Sequence, residues 1–149
     1  MARYADILER DGGVATNYSK ITDAPSTATS IALAVSSTTD GMDFTVTVTD
    51  KDGGAVTVPV CLDLWFSDDA AGIGITADAF SGALTVGTGA IIAVVTAKKH
   101  LKVVTSAAGV LVGTIVDSAN PTDVYVAVSS PNASGVAISV TSGTNWEGV

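Results

Sequence analysis

Between Asp43 and Asp50 apolar and hydroxyl side chains alternate without a slip. Phe44, Val46 and Val48 fall on one side, and Thr45, Thr47 and Thr49 fall on the other. A two-residue period is the signature of a strand with one face buried, and threonine suits the wetter face of a pleated sheet. The same period returns after the turn cluster Asp50-Lys51-Asp52-Gly53-Gly54. There Val56, Val58, Val60, Leu62, Leu64 and Phe66 alternate, with Asp63 and Trp65 together on the opposite face. Pro59 lies inside this run, which predicts an edge strand or a bulge at that point, because proline has no N–H for a ladder.

Further β-branched runs follow: AIIAVVTA at 90–97, LKVVT at 101–105, VLVGTIVD from 110, VYVAVSS from 124 and GVAISVTS from 135. Gly109, Asn120-Pro121-Thr122-Asp123 and Gly135 stand at the starts of the last three, residues of the kind that turns require. About eight to ten short strands at roughly ten-residue spacing predict an all-β, antiparallel sandwich. A helix of more than two turns is expected nowhere. The first thirty residues read differently. Tyr4, Ile7 and Leu8 share helical spacing over barely two turns, too short to stand alone in water, and Asp11-Gly12-Gly13 then interrupts them. The expected organisation is an N-terminal arm at 1–30 (short helix plus extended segment), a sandwich at 31–142 and a tail at 143–149.

Composition narrows the function. Apolar residues make up 47% of the 149, enough for one well-packed core, whereas only 15% are charged. Threonine, serine, alanine and glycine replace the missing charge, giving a polar but nearly uncharged surface. Seven basic residues against fifteen acidic ones leave a net charge of −8. Nucleic acid is therefore not an expected partner, since phosphate binding needs a basic stripe. The one basic cluster, Lys98, Lys99, His100 and Lys102, reads as a solvated strand end or a contact for an acidic protein surface. No run approaches the length of a membrane helix. MARYADILERDGG places acids and an arginine where an export signal needs an apolar stretch, so synthesis in the cytoplasm is expected.

Residues that could carry chemistry are few. One cysteine and one histidine are too few for a transition-metal site, and no cofactor is expected. Cys61 lies in an apolar run and reads as a buried small hydrophobe. Asp50-Lys51-Asp52-Gly53 resembles part of a calcium loop but lacks the closing glutamate, and a β-turn explains it. Ser67-Asp68-Asp69 reads as turn-capping residues. An enzyme would need a polar pocket near His100 with an acid partner, and the sequence gives no sign of a nucleophile there, so a non-enzymatic role is expected. Trp65 and Tyr125 lie in strong strands and read as sheet packing. Tyr4, Ile7, Leu8, Tyr18 and Trp146 sit in the arm and tail, where large apolar groups seek cover. They are the candidate subunit or capsid contacts.

One stretch carries a resemblance. DLWFSDDAAGIGITA, a glycine-rich segment, VTAKKHLKVVTSAAGVLVGTIVDS and then DVYVAV resemble small virion proteins of tailed bacteriophages. In that group an "LDVWLSD"-like strand precedes a Gly/Ala loop, an "AKKxLxVxTDxxG" segment and a strand pair closing on "YV". The matching residues here run from Leu62 to Asp68, then Ala97, Lys98, Lys99, Leu101, Val103, Thr105 and Gly109, with Tyr125 and Val126. His100 and Ser106 depart from the pattern. The resemblance implies an Ig-like sandwich displayed on a phage particle. The role that fits is a capsid decoration (cement) protein on the virion surface. It would bind the major capsid protein through arm and sandwich and assemble as a homo-oligomer, a trimer for choice. The alternative is a tail- or fibre-associated or surface carbohydrate-binding sandwich.

Overall fold

A computed structural model describes residues 28, 30–38, 40–118, 124–130 and 136–138. The strands are β1 (Ser30–Thr38), β2 (Gly41–Thr49), β3 (Cys61–Ser67), β4 (Leu84–Thr88), β5 (Ala90–Thr96), β6 (His100–Val104), β7 (Val110–Val116), β8 (Tyr125–Ser129) and β9 (Val136–Ile138). Among the described residues there is no helix. One sheet has the order β1-β2-β7-β4 and the other β5-β6-β3-β8-β9, with every pairing antiparallel. The all-β sandwich expected from the alternation is the fold. Its first sheet has the A-B-E-D neighbours of an immunoglobulin-like sandwich, and β3-β8-β9 stand as C-F-G. β6 and β5 extend the second sheet beyond β3, although β4 precedes them in the chain.

The core lies between the sheets and follows the two-residue period. Met42, Phe44, Val46 and Val48 are buried in β2, and Leu62, Leu64 and Phe66 in β3. Leu101 and Val103 of β6, Leu111 and Ile115 of β7, and Val126 and Val128 of β8 complete it. Fully burying side chains of this size stabilises by about 1.5–3 kcal/mol each before chain entropy is set against it. Phe44 crosses from the first sheet to meet Phe66 edge-on at 6.2 Å, and Phe66 meets Phe80 edge-on at 5.0 Å. Room for the Phe44 ring comes from its cross-strand partner, Gly113: a Cβ there would lie 2.4 Å from the ring tip.

The structure corrects two expectations around Pro59. The strand begins at Cys61 and not at Ala55, and Val58 is left exposed while Val56 and Val60 are buried. Pro59 ends the ladder, and the chain is held instead by mutual bonds between Val60 and Thr105: Val60 N–H to Thr105 Oγ1 at 2.9 Å and Thr105 N–H to the Val60 carbonyl at 3.0 Å. Cys61 is exposed. Strand parity puts it on the outer face with Asp63 and Trp65, so its apolar neighbours in sequence are not its neighbours in space.

The first strand starts at Ser30, and Ala28 before it belongs to the core. Tyr4, Ile7, Leu8, Tyr18 and Trp146 lie outside the described residues.

Among the described residues five strands stand against four, and β5 is the exposed edge strand of the larger sheet. All seven of its residues are exposed. Ile91 and Val94 pair with the buried Val103 and Leu101, so they turn to the inner side, yet they remain 38% and 59% exposed. Ile92 and Val95 fall at two register shifts and are 56% and 53% exposed. The step from β4 to β5 takes one residue, Gly89, at φ +86°.

Candidate functional site

On the outer face of the larger sheet the register sets two rows of side chains. Asp63 lies between Lys102 of β6 and Ser129 of β8, and Trp65 lies between His100 and Ala127. Lys102 Nζ donates to Asp63 Oδ1 at 3.0 Å and approaches Oδ2 at 3.3 Å. His100 Nε2 stands 3.3 Å from the same Oδ1, and its ring meets Trp65 edge-on at 6.3 Å. Asp63 and His100 are largely covered, with side chains 34% and 25% exposed.

The chain after β3 folds back to wall this face. Trp65 Nε1–H donates to the Gly72 carbonyl at 3.0 Å, and Ser67 Oγ–H to the Ile73 carbonyl at 3.2 Å. The Asp68 carboxylate accepts from the Thr76 hydroxyl and from Ala77 N–H, while Asp69 caps Ala71 N–H at 2.6 Å. The turn-capping role expected of Ser67, Asp68 and Asp69 is what they perform. Asp50 does likewise, accepting from Asp52 and Gly54 N–H at 2.9 and 2.8 Å.

The basic cluster proves to be part of the same construction. Lys98 Nζ donates to the Phe80 carbonyl at 2.8 Å, and Lys99 Nζ to the Thr76 and Ala77 carbonyls at 3.1 and 2.9 Å. Lys98 occupies the β5–β6 turn at φ +61°, unusual for a residue with a side chain. These lysines are neither a solvated strand end nor a free acid-seeking patch. They hold the loop after β3 against the sheet, and the acid that Lys102 meets is internal.

Loop and sheet together enclose an open groove of about 470 Å³, lined by Asp63, Trp65, Gly72, Gly74, Ile75, His100, Lys102 and Ser129. Trp65 is half-buried, a wall of the groove more than a core residue. That Asp63 and Trp65 share a face was readable from parity. The missing step was which strand lies beside them. His100 and Lys102 form a second same-face polar pair in an otherwise apolar strand, and pairing two such strands is the signal that would have found the site.

An acid next to His100 is the feature an enzyme reading requires, so the order of groups matters. A relay places the imidazole between acid and hydroxyl. Here the strand that carries Asp63 lies between those of His100 and Ser129, and the imidazole is not placed between acid and hydroxyl.

Two carboxyls are held below the usual carboxylate range. At Asp68 the Thr76 hydroxyl is the main cause, followed by Ala77 N–H, with help from the Lys99 charge. At Asp63 partial burial pushes upward, but hydrogen bonds and charge from Lys102 and His100 outweigh it. A carboxyl depressed by folding stabilises in full above its unfolded value, near 3.9 for aspartate. That stabilisation fades as pH falls through the lower folded value. The melting temperature should therefore drop on the acid side of about pH 4. Asp68→Asn should melt lower at neutral pH and show a shallower acid decline in circular-dichroism melts. Parallel curves for the two proteins would contradict the assignment.

The geometry defines an immunoglobulin-like antiparallel sandwich with a polar, aromatic-walled groove on its larger sheet and an uncovered apolar strand at that sheet's edge. No protein-family model, no curated protein and no solved structure matches the chain.

Proposed function

We propose that this chain is a non-enzymatic structural protein of a tailed-phage particle, a decoration protein seated on the assembled capsid. The observation that carries the reading is β5: a strand of seven exposed residues, AIIAVVT, at the edge of a sandwich that is otherwise closely packed. A long apolar edge is a liability for a free monomer and is normally blunted by charge, by bulges or by cover, and of these β5 has the register shifts at Ile92 and Val95. β5 has no charged residue, in a chain of net charge −8. Such an edge suits a partner that adds backbone hydrogen bonds along the strand and buries its side chains.

The resemblance from Leu62 to Val128 supports the same reading, since its residues form β3, the loop after it, and β6 to β8. A decoration protein binds the finished shell and not its loose parts, and so stabilises the shell by mass action. It needs area, not catalysis. In this reading the partner is the major capsid protein, the location is the outer virion surface, and self-assembly is trimeric.

The test is co-sedimentation with capsids assembled from the major capsid protein of the same genome. The wild-type chain should pellet with the capsids. Ile92→Lys with Val94→Lys should remain in the supernatant, and it should keep its melting temperature, because both positions are exposed. Equal pelleting of the two proteins would remove β5 as the docking edge. No pelleting of either would remove the decoration reading.

A further inference from the structure

The groove beside Trp65 is unused by docking through β5, and its chemistry points to a small ligand. We propose that it binds a neutral saccharide, with a pyranose ring against the Trp65 indole and its hydroxyls on Asp63, Lys102 and Ser129, and does not cleave it. This inference is independent of the capsid reading and survives that reading's failure.

The first support is the way Trp65 is held. Its N–H is already committed to the Gly72 carbonyl at 3.0 Å, and His100 meets it edge-on. The ring is thus fixed in place beside the groove while remaining only half-buried. An aromatic face carries negative charge density. The C–H groups on one side of a pyranose are weakly positive and apolar, so a preset indole face suits them.

The second support is the balance of the polar groups. Asp63 offers a carboxylate with four acceptor positions, of which Lys102 and His100 use part. Lys102 is 56% exposed and has three donors, and Ser129 adds a hydroxyl on the other side of Asp63. Vicinal sugar hydroxyls donate and accept at once, which matches an acid and an ammonium standing together. The pairing also argues against charged ligands. An anion would find Lys102 already neutralised by Asp63, and a cation would find Asp63 already paired. A nucleotide would bring phosphates to a chain of net charge −8.

Third, the size fits. About 470 Å³ lies within the span of small-molecule sites, and the groove is open at the side, as an oligosaccharide end requires. Ile75, 44% exposed, adds apolar surface at the wall. Cleavage is not part of the proposal, because glycoside hydrolysis works through two carboxylates. Asp63 is the one carboxylate among the described residues that line the groove.

The experiment is an NMR titration of the full-length ¹⁵N-labelled chain with methyl glycosides of glucose, galactose, mannose and N-acetylglucosamine, and with their disaccharides. The Trp65 indole N–H, assigned through Trp65→Phe, and the amides of Gly72, Gly74 and Ile75 should shift saturably in the millimolar range. Trp65→Ala should weaken binding about tenfold. Should that variant fail to fold, Asp63→Asn, which keeps the shape and alters the pairing with Lys102, should weaken it measurably. No shift at these positions with any glycoside overturns the proposal. So does a response to inorganic phosphate without one to the glycosides, which would make the groove an anion site.

Discussion

Phe66→Ala should lower the unfolding free energy by about 3–5 kcal/mol, the usual cost of emptying a buried aromatic site. Phe66 is fully buried and touches an aromatic ring on each of two sides, Phe44 from the opposite sheet and Phe80 from the loop after β3. Removing it leaves a void between the sheets and under the loop that walls the groove. Domains have about 5–15 kcal/mol in all, so this single change takes a large share. Urea unfolding should show the midpoint moving down with an unchanged slope. A loss below about 1 kcal/mol would mean that the sheets close over the gap, contrary to the rigid packing described.

Gly89→Ala should cost nearly as much, about 3 kcal/mol, although it adds one methyl group. Two effects combine. The backbone at Gly89 is left-handed, and an added Cβ would lie 2.4 Å from the Val104 carbonyl oxygen and 2.7 Å from a Leu111 methyl. A carbonyl held in a ladder cannot yield as a long side chain can. Gly53→Ala is the control: its φ is +80°, but nothing lies within 4 Å of the added carbon. It should cost only the conformational part, about 1–2 kcal/mol. Thermal melts of the two variants measure the difference. Equal losses would show that the close approach at Gly89 contributes nothing.

Much of the fold was legible because the two-residue period is a direct consequence of strand geometry. β2 and β3 are the clearest cases: Phe44, Val46 and Val48, then Leu62, Leu64 and Phe66, are buried where the alternation put them. Cys61 was misread because apolar neighbours along the chain were allowed to outweigh parity along the strand. β5 shows a different limit. A continuous run such as AIIAVVT reads as a strand covered on both faces, and all seven of its residues are exposed. Its surroundings depend on the count of strands in the two sheets, five against four, which no local pattern encodes.

The site was half legible for a similar reason. Asp63 with Trp65, and His100 with Lys102, are same-face pairs in sequence. That β3 and β6 lie side by side is a property of the whole topology. The lysines at 98 and 99 looked like surface charge because their partners are backbone carbonyls, which have no letter in a sequence.

The ladder between β2 and β7 also sets how the chain reaches this state. It joins Gly41 to Val116 and Thr47 to Val110, residues far apart along the chain, and it forms the centre of the four-stranded sheet. The β1–β2 hairpin is local, but the sheet cannot be completed before most of the polypeptide exists and has closed on itself. Sandwiches dominated by such distant pairings fold in milliseconds to seconds, not microseconds. During that interval β3, β6 and β8 lack the layer that covers them, and AIIAVVT has no cover even at the end. Yield on refolding should therefore fall steeply with protein concentration, and the cell would be expected to keep the newly made chain dilute or promptly engaged.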